Sequence, residues 1–233
     1  AFLSGEYDIH IENDAVRWKT NLVNNNNIIT KTFPRKYPSG IEAIIFNSRR
    51  HPFNDVNVRK AICLLFPYEF INKILFHNLL SRTYGPWDNS YLKATTTLNK
   101  TSLNILSKYK DQISIRALEV TNIHKEEDKR ILLKNALNLL KKSDWNIEKN
   151  ILVNKQNNKQ LSFSVLTNQP RMERLLLIWA QQLKKIGIKM KVLITDSAQY
   201  QYRLQKFDFD AIVFKYNMSL SPGNEQSIYW GSW

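Results

Sequence analysis

LSFSVLTNQPRMERLLLIWAQQLKKIGIKMKVLITDSAQYQYRLQKFDFDAIVF, residues Leu161–Phe214, decides the fold class. Leu161–Leu166 is a short apolar run closed by Asn168-Gln169-Pro170, which reads as a strand. Over Pro170–Ile186, Leu176, Trp179, Leu183 and Ile186 line one helical face, and Gly187 stands where a C-terminal cap belongs. Ile188–Ile194 returns to strand character. Asp196 can cap a helix carrying Tyr200 and Leu204, because its carboxylate accepts an orphan backbone N–H. Asp210–Phe214 is a further strand. Strands separated by helices imply an α/β layer with parallel pairing, and right-handed crossovers put the helices on the sheet faces.

Outward from this stretch the pattern persists. Lys125–Ser143 is a helix by periodicity. Leu132, Leu133, Ala136, Leu137 and Leu140 form its apolar face, with Lys129, Arg130, Lys134 and Lys141 in solvent. Trp145–Leu161 turns like a polar hairpin. Ala43-Ile44-Ile45-Phe46, within Glu42–Asn47, is a buried strand. Asp55 suits a helix N-cap ahead of Val58, Ile62 and Leu65. Pro67 ends that helix, and a second follows through Phe70, Ile71, Ile74 and Leu75. Phe2–Asp8 is a helix end and turn, and Pro34 and Pro38 bracket an extended segment. Asn78–Thr101 is a long loop around Arg82 and Gly85-Pro86-Trp87, either functional or a packed crossover. No internal repeat or linker divides the chain.

Composition excludes several classes. The net charge of +14 has scattered carriers, such as Arg17, Lys60, Lys100 and Lys189, with no block of five like charges. A nucleic-acid partner is therefore not expected, although a basic nucleic-acid-binding domain stays open as an alternative. The one cysteine, Cys63, lies among Ala61, Ile62, Leu64 and Leu65 and reads as a buried, inert thiol. The 6 glycines are too dispersed for a phosphate-cradling loop. The 4 histidines, His10, His51, His77 and His124, form no metal-ligand pair. Glu126-Glu127-Asp128 sits at a helix start, where the dipole favours negative charge. Asp208 and Asp210 precede a strand and hold its entry. No nucleophile–base pair is visible, so neither catalysis nor a cofactor or metal is expected.

Ordered motifs carry a resemblance. Leu3-Ser4-Gly5-Glu6-Tyr7-Asp8, Phe46-Asn47, Pro52-Phe53-Asn54-Asp55, Val58-Arg59-Lys60-Ala61, Leu183-Lys184-Lys185-Ile186-Gly187-Ile188 and Tyr200 through Phe207-Asp208 resemble, in the same order, segments of family 5 extracellular solute-binding proteins. These are the substrate-binding components of peptide and related ABC importers. Ser221-Pro222-Gly223-Asn224-Glu225-Gln226 with Tyr229-Trp230-Gly231-Ser232, and Arg82-Thr83 with Asn89-Ser90, are similar to the YejA-like peptide-binding branch. The resemblance implies a type II periplasmic-binding-protein-like lobe with a mixed sheet flanked by helices. Residues 1–40 would be an inter-lobe, hinge-proximal segment and 41–233 the second lobe. The first lobe and the C-terminal end would lie outside the chain. It further implies capture of a peptide or peptide-like solute in the periplasm and delivery to an inner-membrane ABC permease. The alternatives are a nickel chelate, haem or sugar as solute, or a non-functional remnant.

Ligands of open α/β sheets bind beyond the carboxyl ends of the strands. The segments leaving those ends hold Gln169 and Arg171 after the first strand of the stretch quoted above, Thr195-Asp196-Ser197 after the next, and Lys215 to Gln226 after the last. Arg171 and Lys215 offer cations suited to a carboxylate. Arg171 is either a solvated residue or, because a cation opposes the dipole at a helix start, the partner of a bound anion. Tyr216 and Ser219 stand where many peptide binders of the family place a Trp and an Asp that pairs with the peptide amino group. A charge-assisted bond of about 1.5–3 kcal/mol there would become a weaker neutral one. Asn224 and Glu225 are ligand candidates through the resemblance, and a polar turn otherwise. Trp87, Tyr216 and Trp230 are walls of side-chain pockets or plain core aromatics. Arg82 completes the candidate set.

Overall fold

A computed structural model describes residues 1–23, 25–33, 36–93, 98–113 and 128–231. A 3-10 turn, Phe2–Ser4, opens the chain. α1 (Ala15–Arg17) runs into a π-helical turn, Trp18–Leu22. There follow β1 (Ile41–Phe46), α2 (Val56–Leu64), α3 (Tyr68–Phe76), α4 (Lys100–Ser107), α5 (Lys129–Lys142), β2 (Trp145–Glu148), β3 (Ile151–Asn154) and β4 (Ser162–Thr167). The chain continues through α6 (Pro170–Lys184), β5 (Lys189–Ile194), α7 (Ser197–Gln205), β6 (Ala211–Tyr216) and α8 (Glu225–Trp230).

The chain divides into two compact units. The first holds residues 1–34, 43–82 and 135–214; the second holds 35–42, 83–134 and 215–233. They interleave in sequence, so no linker marks them.

The first unit is the α/β layer. The sheet order is β1-β6-β4-β5, with β4 parallel to β5 and to β6 (Val165 opposite Val192, Leu166 opposite Ile212). β1 runs the other way, making the sheet mixed. Asn47, after its end, donates its N–H to Asp210 O at the entry of β6 (2.8 Å). Period-two alternation sends side chains to two faces. Phe163, Val165, Met190, Ala211 and Val213 pack with Leu176, Trp179 and Leu183 of α6, with Val58 and Ile62 of α2, and with Ala136 and Leu140 of α5. On the other face Leu166, Ile212 and Phe209 pack with Tyr200 of α7, whose hydroxyl donates to Val213 O (2.6 Å). Burying side chains of this size contributes roughly 1.5–3 kcal/mol each. Trp179, 1% exposed, satisfies its indole N–H at Leu65 O (3.2 Å).

The antiparallel β2–β3 hairpin locks onto the end of α6. Gly187 (φ 79°) passes so close to Leu152 and Ile151 that a β-carbon would collide with their backbone, and its carbonyl accepts from Leu152 N (3.1 Å) and Gln160 Nε2 (2.8 Å). Only glycine meets both demands. The entry of β6 is clamped. Arg50 and Arg203 hold Asp208 (2.7 and 3.1 Å), Asp210 accepts from Ser164 N and Oγ (2.9 and 2.8 Å), and Asn47 Nδ2 bonds Phe207 O and Phe209 O (both 2.9 Å). The expected strand-entry role of the two aspartates is what these contacts perform.

Several expectations need correction. Cys63 is exposed, one step round α2 from buried Ile62; desolvation still pushes its thiol up against the opposing pull of Arg82 and Arg59, so it is no activated nucleophile. β1 is half-buried, with Ile45 on the α7 face and Ile44 and Phe46 on the α6 face. Leu133 of α5 is exposed, off the stripe that buries Ala136 and Leu140. The long loop ends at Asn99, whose side chain caps α4 through Ser102 N (2.7 Å). Residues 114–127, which hold His124 and the start expected for the α5 helix, lie outside the described residues; Asp128 Oδ1 accepts from Arg130 N (2.8 Å). Among the described residues no helix is long and apolar enough to cross a membrane.

Candidate ligand-binding surfaces

In the first unit the carboxyl ends of β4 and β5 form one rim. Thr167 is fully buried. Its carbonyl accepts Thr195 N–H (3.0 Å) and its hydroxyl accepts Gln169 N–H (3.1 Å), so both strand ends are pinned. Asn168 Nδ2 reaches Ser197 Oγ (3.3 Å), bridging the starts of α6 and α7. Asp196 caps α7 through Gln199 N (2.9 Å). α6 begins instead with Pro170 behind Gln169, whose side chain makes no cap bond. Gln169 Oε1 turns to accept from Arg171 Nε (3.0 Å). The Thr195 hydroxyl is buried with no hydrogen-bond partner among the described residues. The rim thus displays amide and hydroxyl groups of both polarities, Asn168, Gln169 and Ser197, beside one guanidinium.

The Asp14 carboxyl is held below its ordinary range first by the Arg17 N–H, and Arg171 adds to that shift. Arg82, also of the first unit, lies over the Tyr68 ring at 5.4 Å, away from the rim residues in its contacts.

The second unit gathers aromatics. Tyr216 stacks on Trp230 (5.3 Å between centroids) and meets Tyr229 edge-on (5.0 Å). Trp230 Nε1 donates to Gln226 Oε1 (3.1 Å), and Gln226 Nε2 donates to Glu225 Oε1 (3.0 Å). Glu225 Oε1 also accepts Gly223 N–H (2.9 Å), the main cause of a carboxyl held below its ordinary range. Burial pushes the Tyr216 phenol up, with Tyr229 adding to it. Trp230 remains 52% exposed. Glu225 and Gln226 therefore open a short helix, α8, where an extended polar loop was expected from Lys215 to Gln226. Glu225 closes a turn, and Asn224 precedes it with an exposed side chain that caps nothing.

Ser219 is exposed and donates to Ser221 O (2.8 Å); Lys215 is exposed at the end of β6. Trp87 is half-buried in a turn closed by Asp88, which accepts Tyr84 and Gly85 N–H (2.6 and 3.3 Å). Its indole N–H is buried without an acceptor among the described residues. The structure thus groups Gln169 with Arg171, and Tyr216 with Glu225. It sets Arg82 and Trp87 in surroundings of their own. Gln226 and Tyr229, absent from the candidates read from sequence, join the group around Tyr216. The spacing of Gln226 and Trp230, one helical turn apart, was the available signal.

Comparisons with known proteins agree with this architecture. The chain is 32% identical over 242 residues to the probable peptide-binding protein YejA of Agrobacterium fabrum, covering 100% of this chain and 39% of that one. It is 31% identical over 242 residues to an uncharacterized protein of Sinorhizobium fredii, covering 100% and 36%. The chain thus spans well under half the length of these curated relatives. The oligopeptide-binding protein AppA of Bacillus subtilis, solved with a nonapeptide, superposes with a TM-score of 0.57 at 23% identity, over 79% of this chain and 32% of that one. That likeness establishes the type II periplasmic-binding-protein fold. The model of bacterial extracellular solute-binding proteins, family 5 middle, matches residues 1–233, and the chain belongs to that family.

Proposed function

We propose that this chain is part of the substrate-binding component of an ABC importer, a carrier that captures peptides or peptide-like solutes in the periplasm for an inner-membrane permease and performs no chemistry on them. Residues 1–40 form the hinge-proximal segment and 41–233 the second lobe; a first lobe elsewhere in the protein supplies the opposing surface. The observation that carries this reading is the rim of paired amide and hydroxyl groups at the carboxyl ends of β4 and β5. A peptide backbone repeats one donor and one acceptor per residue, and Asn168, Gln169 and Ser197 offer both. Arg171 suits its carboxylate. Within the second unit, taken by itself, the Tyr216–Tyr229–Trp230 group is a candidate apolar contact surface. Closure of two lobes would exclude water and strengthen each polar contact. Arg82, Trp87, Lys215, Ser219, Asn224 and Glu225 remain candidate contacts within this proposal.

The test is native mass spectrometry of the protein carrying this chain with its natural flanking sequence, incubated with a mixed peptide library. Retained peptides are expected. Retention of a nickel chelate, haem or sugar in place of peptides would replace the reading. Calorimetry of the 233-residue chain by itself should show weak or no peptide binding. Micromolar affinity, about −8 kcal/mol, would contradict the need for a second lobe.

A further inference from the structure

A cavity in the first unit involves none of the rim residues. It is built by the opening segment of the chain. Gly5 (φ 78°) ends the Phe2–Ser4 turn in left-handed backbone, with its N–H on Phe2 O (3.0 Å), and the chain doubles back so that Tyr7 and His10 return to Phe2. The His10 ring stacks on Phe2 (5.2 Å between centroids, 25° between planes), and Tyr7 leans on Phe2 (5.5 Å). His10 is also held at both nitrogens. Nδ1 lies 3.4 Å from Tyr7 Oη, and Nε2 lies 3.4 Å from Glu12 Oε2. One tautomer satisfies both contacts: the Tyr7 O–H donates to Nδ1, and the Nε2–H donates to the carboxylate.

Phe2, Tyr7, His10 and Leu22 wall a cavity of about 270 Å³, and Glu12 and Arg17 supply its charged lining. The Glu12 side chain is only 10% exposed. Its Oε1 accepts the Asp14 N–H (2.8 Å), the main cause of a carboxyl held below its ordinary range, so the group is ionised at neutral pH. A carboxylate has capacity for more donors than these two contacts use. Among the described residues the Arg17 guanidinium makes no hydrogen bond or ion pair. The volume lies at the small end for a ligand site, which sets the occupant's size. The two charges set its chemistry. A simple cation would meet Arg17 and a simple anion would meet Glu12, whereas a zwitterion satisfies both. Its apolar part then has rings and Leu22 to pack against. We propose that this cavity is a second binding site, for a free α-amino acid with an aliphatic or aromatic side chain. Glu12 takes the ammonium and Arg17 the carboxylate. The site does not depend on peptide capture at the rim.

The experiment is calorimetry of the protein carrying this chain with its natural flanking sequence, titrated with L-phenylalanine and with L-leucine. Both should bind. Phenethylamine, which lacks the carboxylate, and hydrocinnamate, which lacks the ammonium, should each bind at least about tenfold more weakly than L-phenylalanine. Glu12→Gln and Arg17→Gln should each weaken L-phenylalanine at least about tenfold, with circular dichroism confirming that the variants are folded. The two analogues need no variant, so a misfolded Glu12→Gln would leave the test intact. No binding of either amino acid at millimolar concentration would overturn the proposal. So would analogues that bind as tightly as L-phenylalanine. Loss of binding in Arg171→Gln but not in Glu12→Gln would place the amino acid on the rim and overturn it equally.

Discussion

The two units of this chain bury their apolar residues in different ways. In the first, strand alternation and helical periodicity fill both sheet faces, and Trp179, Phe53 and Leu176 are essentially sealed, while Ile9, Ile29 and Phe33 stay exposed outside the sheet. In the second, α4 and α8 bury no residue, and Tyr91, Ile228 and Trp230 are more than half exposed. Its aromatics meet one another around Tyr216. The first unit holds the sealed core and the rim; the second holds the Tyr216–Tyr229–Trp230 group.

If that contrast is right, truncation should separate stability from binding. Trp179→Ala, which empties the space between Phe66 and Phe163, should cost about 3–5 kcal/mol in urea unfolding and leave little folded protein at 37 °C. Gly187→Ala forces a β-carbon against Leu152 at positive φ and should cost about 1–3 kcal/mol by the same measurement. Trp230→Ala, in the open cluster, should cost only about 0.5–1.5 kcal/mol of stability. The same change should reduce peptide retention by the protein carrying this chain. A stability loss as large as that of Trp179→Ala would erase the distinction between the units.

The smallest effect is electrostatic. Arg50 and Arg203 hold the Asp208 carboxyl below its ordinary range, Arg50 first. A depressed carboxyl adds stability that is present above the unfolded value of about 4 and is lost as pH falls through the folded value. The urea midpoint should therefore drop as the pH falls below about 4. Arg50→Gln should lower the midpoint at pH 7 and flatten that acid limb. An unchanged limb would show that the clamp at β6 does not contribute.

Much of the first unit was legible in the sequence because local periods there agree with tertiary burial. Leu176, Trp179 and Leu183 mark α6, and Asp55 and Asp196 cap the helices their positions suggested. The failures have physical causes. Cys63 sits in an apolar stretch, but neighbours in sequence lie 100° apart round a helix, and the stripe passes it by. α8 escaped notice because six residues with polar side chains at Glu225, Gln226 and Ser227 show no apolar stripe; it is held by Tyr216 stacking on Trp230 and by local hydrogen bonds. Of the site, the rim segments followed from parallel topology alone. That the Arg171 side chain turns back onto Gln169 did not, since no local periodicity encodes it.

The central claim is that the carboxyl-end rim of β4 and β5 meets the ligand. Photo-cross-linking of a peptide library to the protein carrying this chain, with adducts located by mass spectrometry, tests it most directly. Adducts in this unit should fall within Asn168–Arg171 and Thr195–Ser197. Adducts concentrated instead on the β2–β3 hairpin and the α6 C-terminus, at the other end of the sheet, would contradict it.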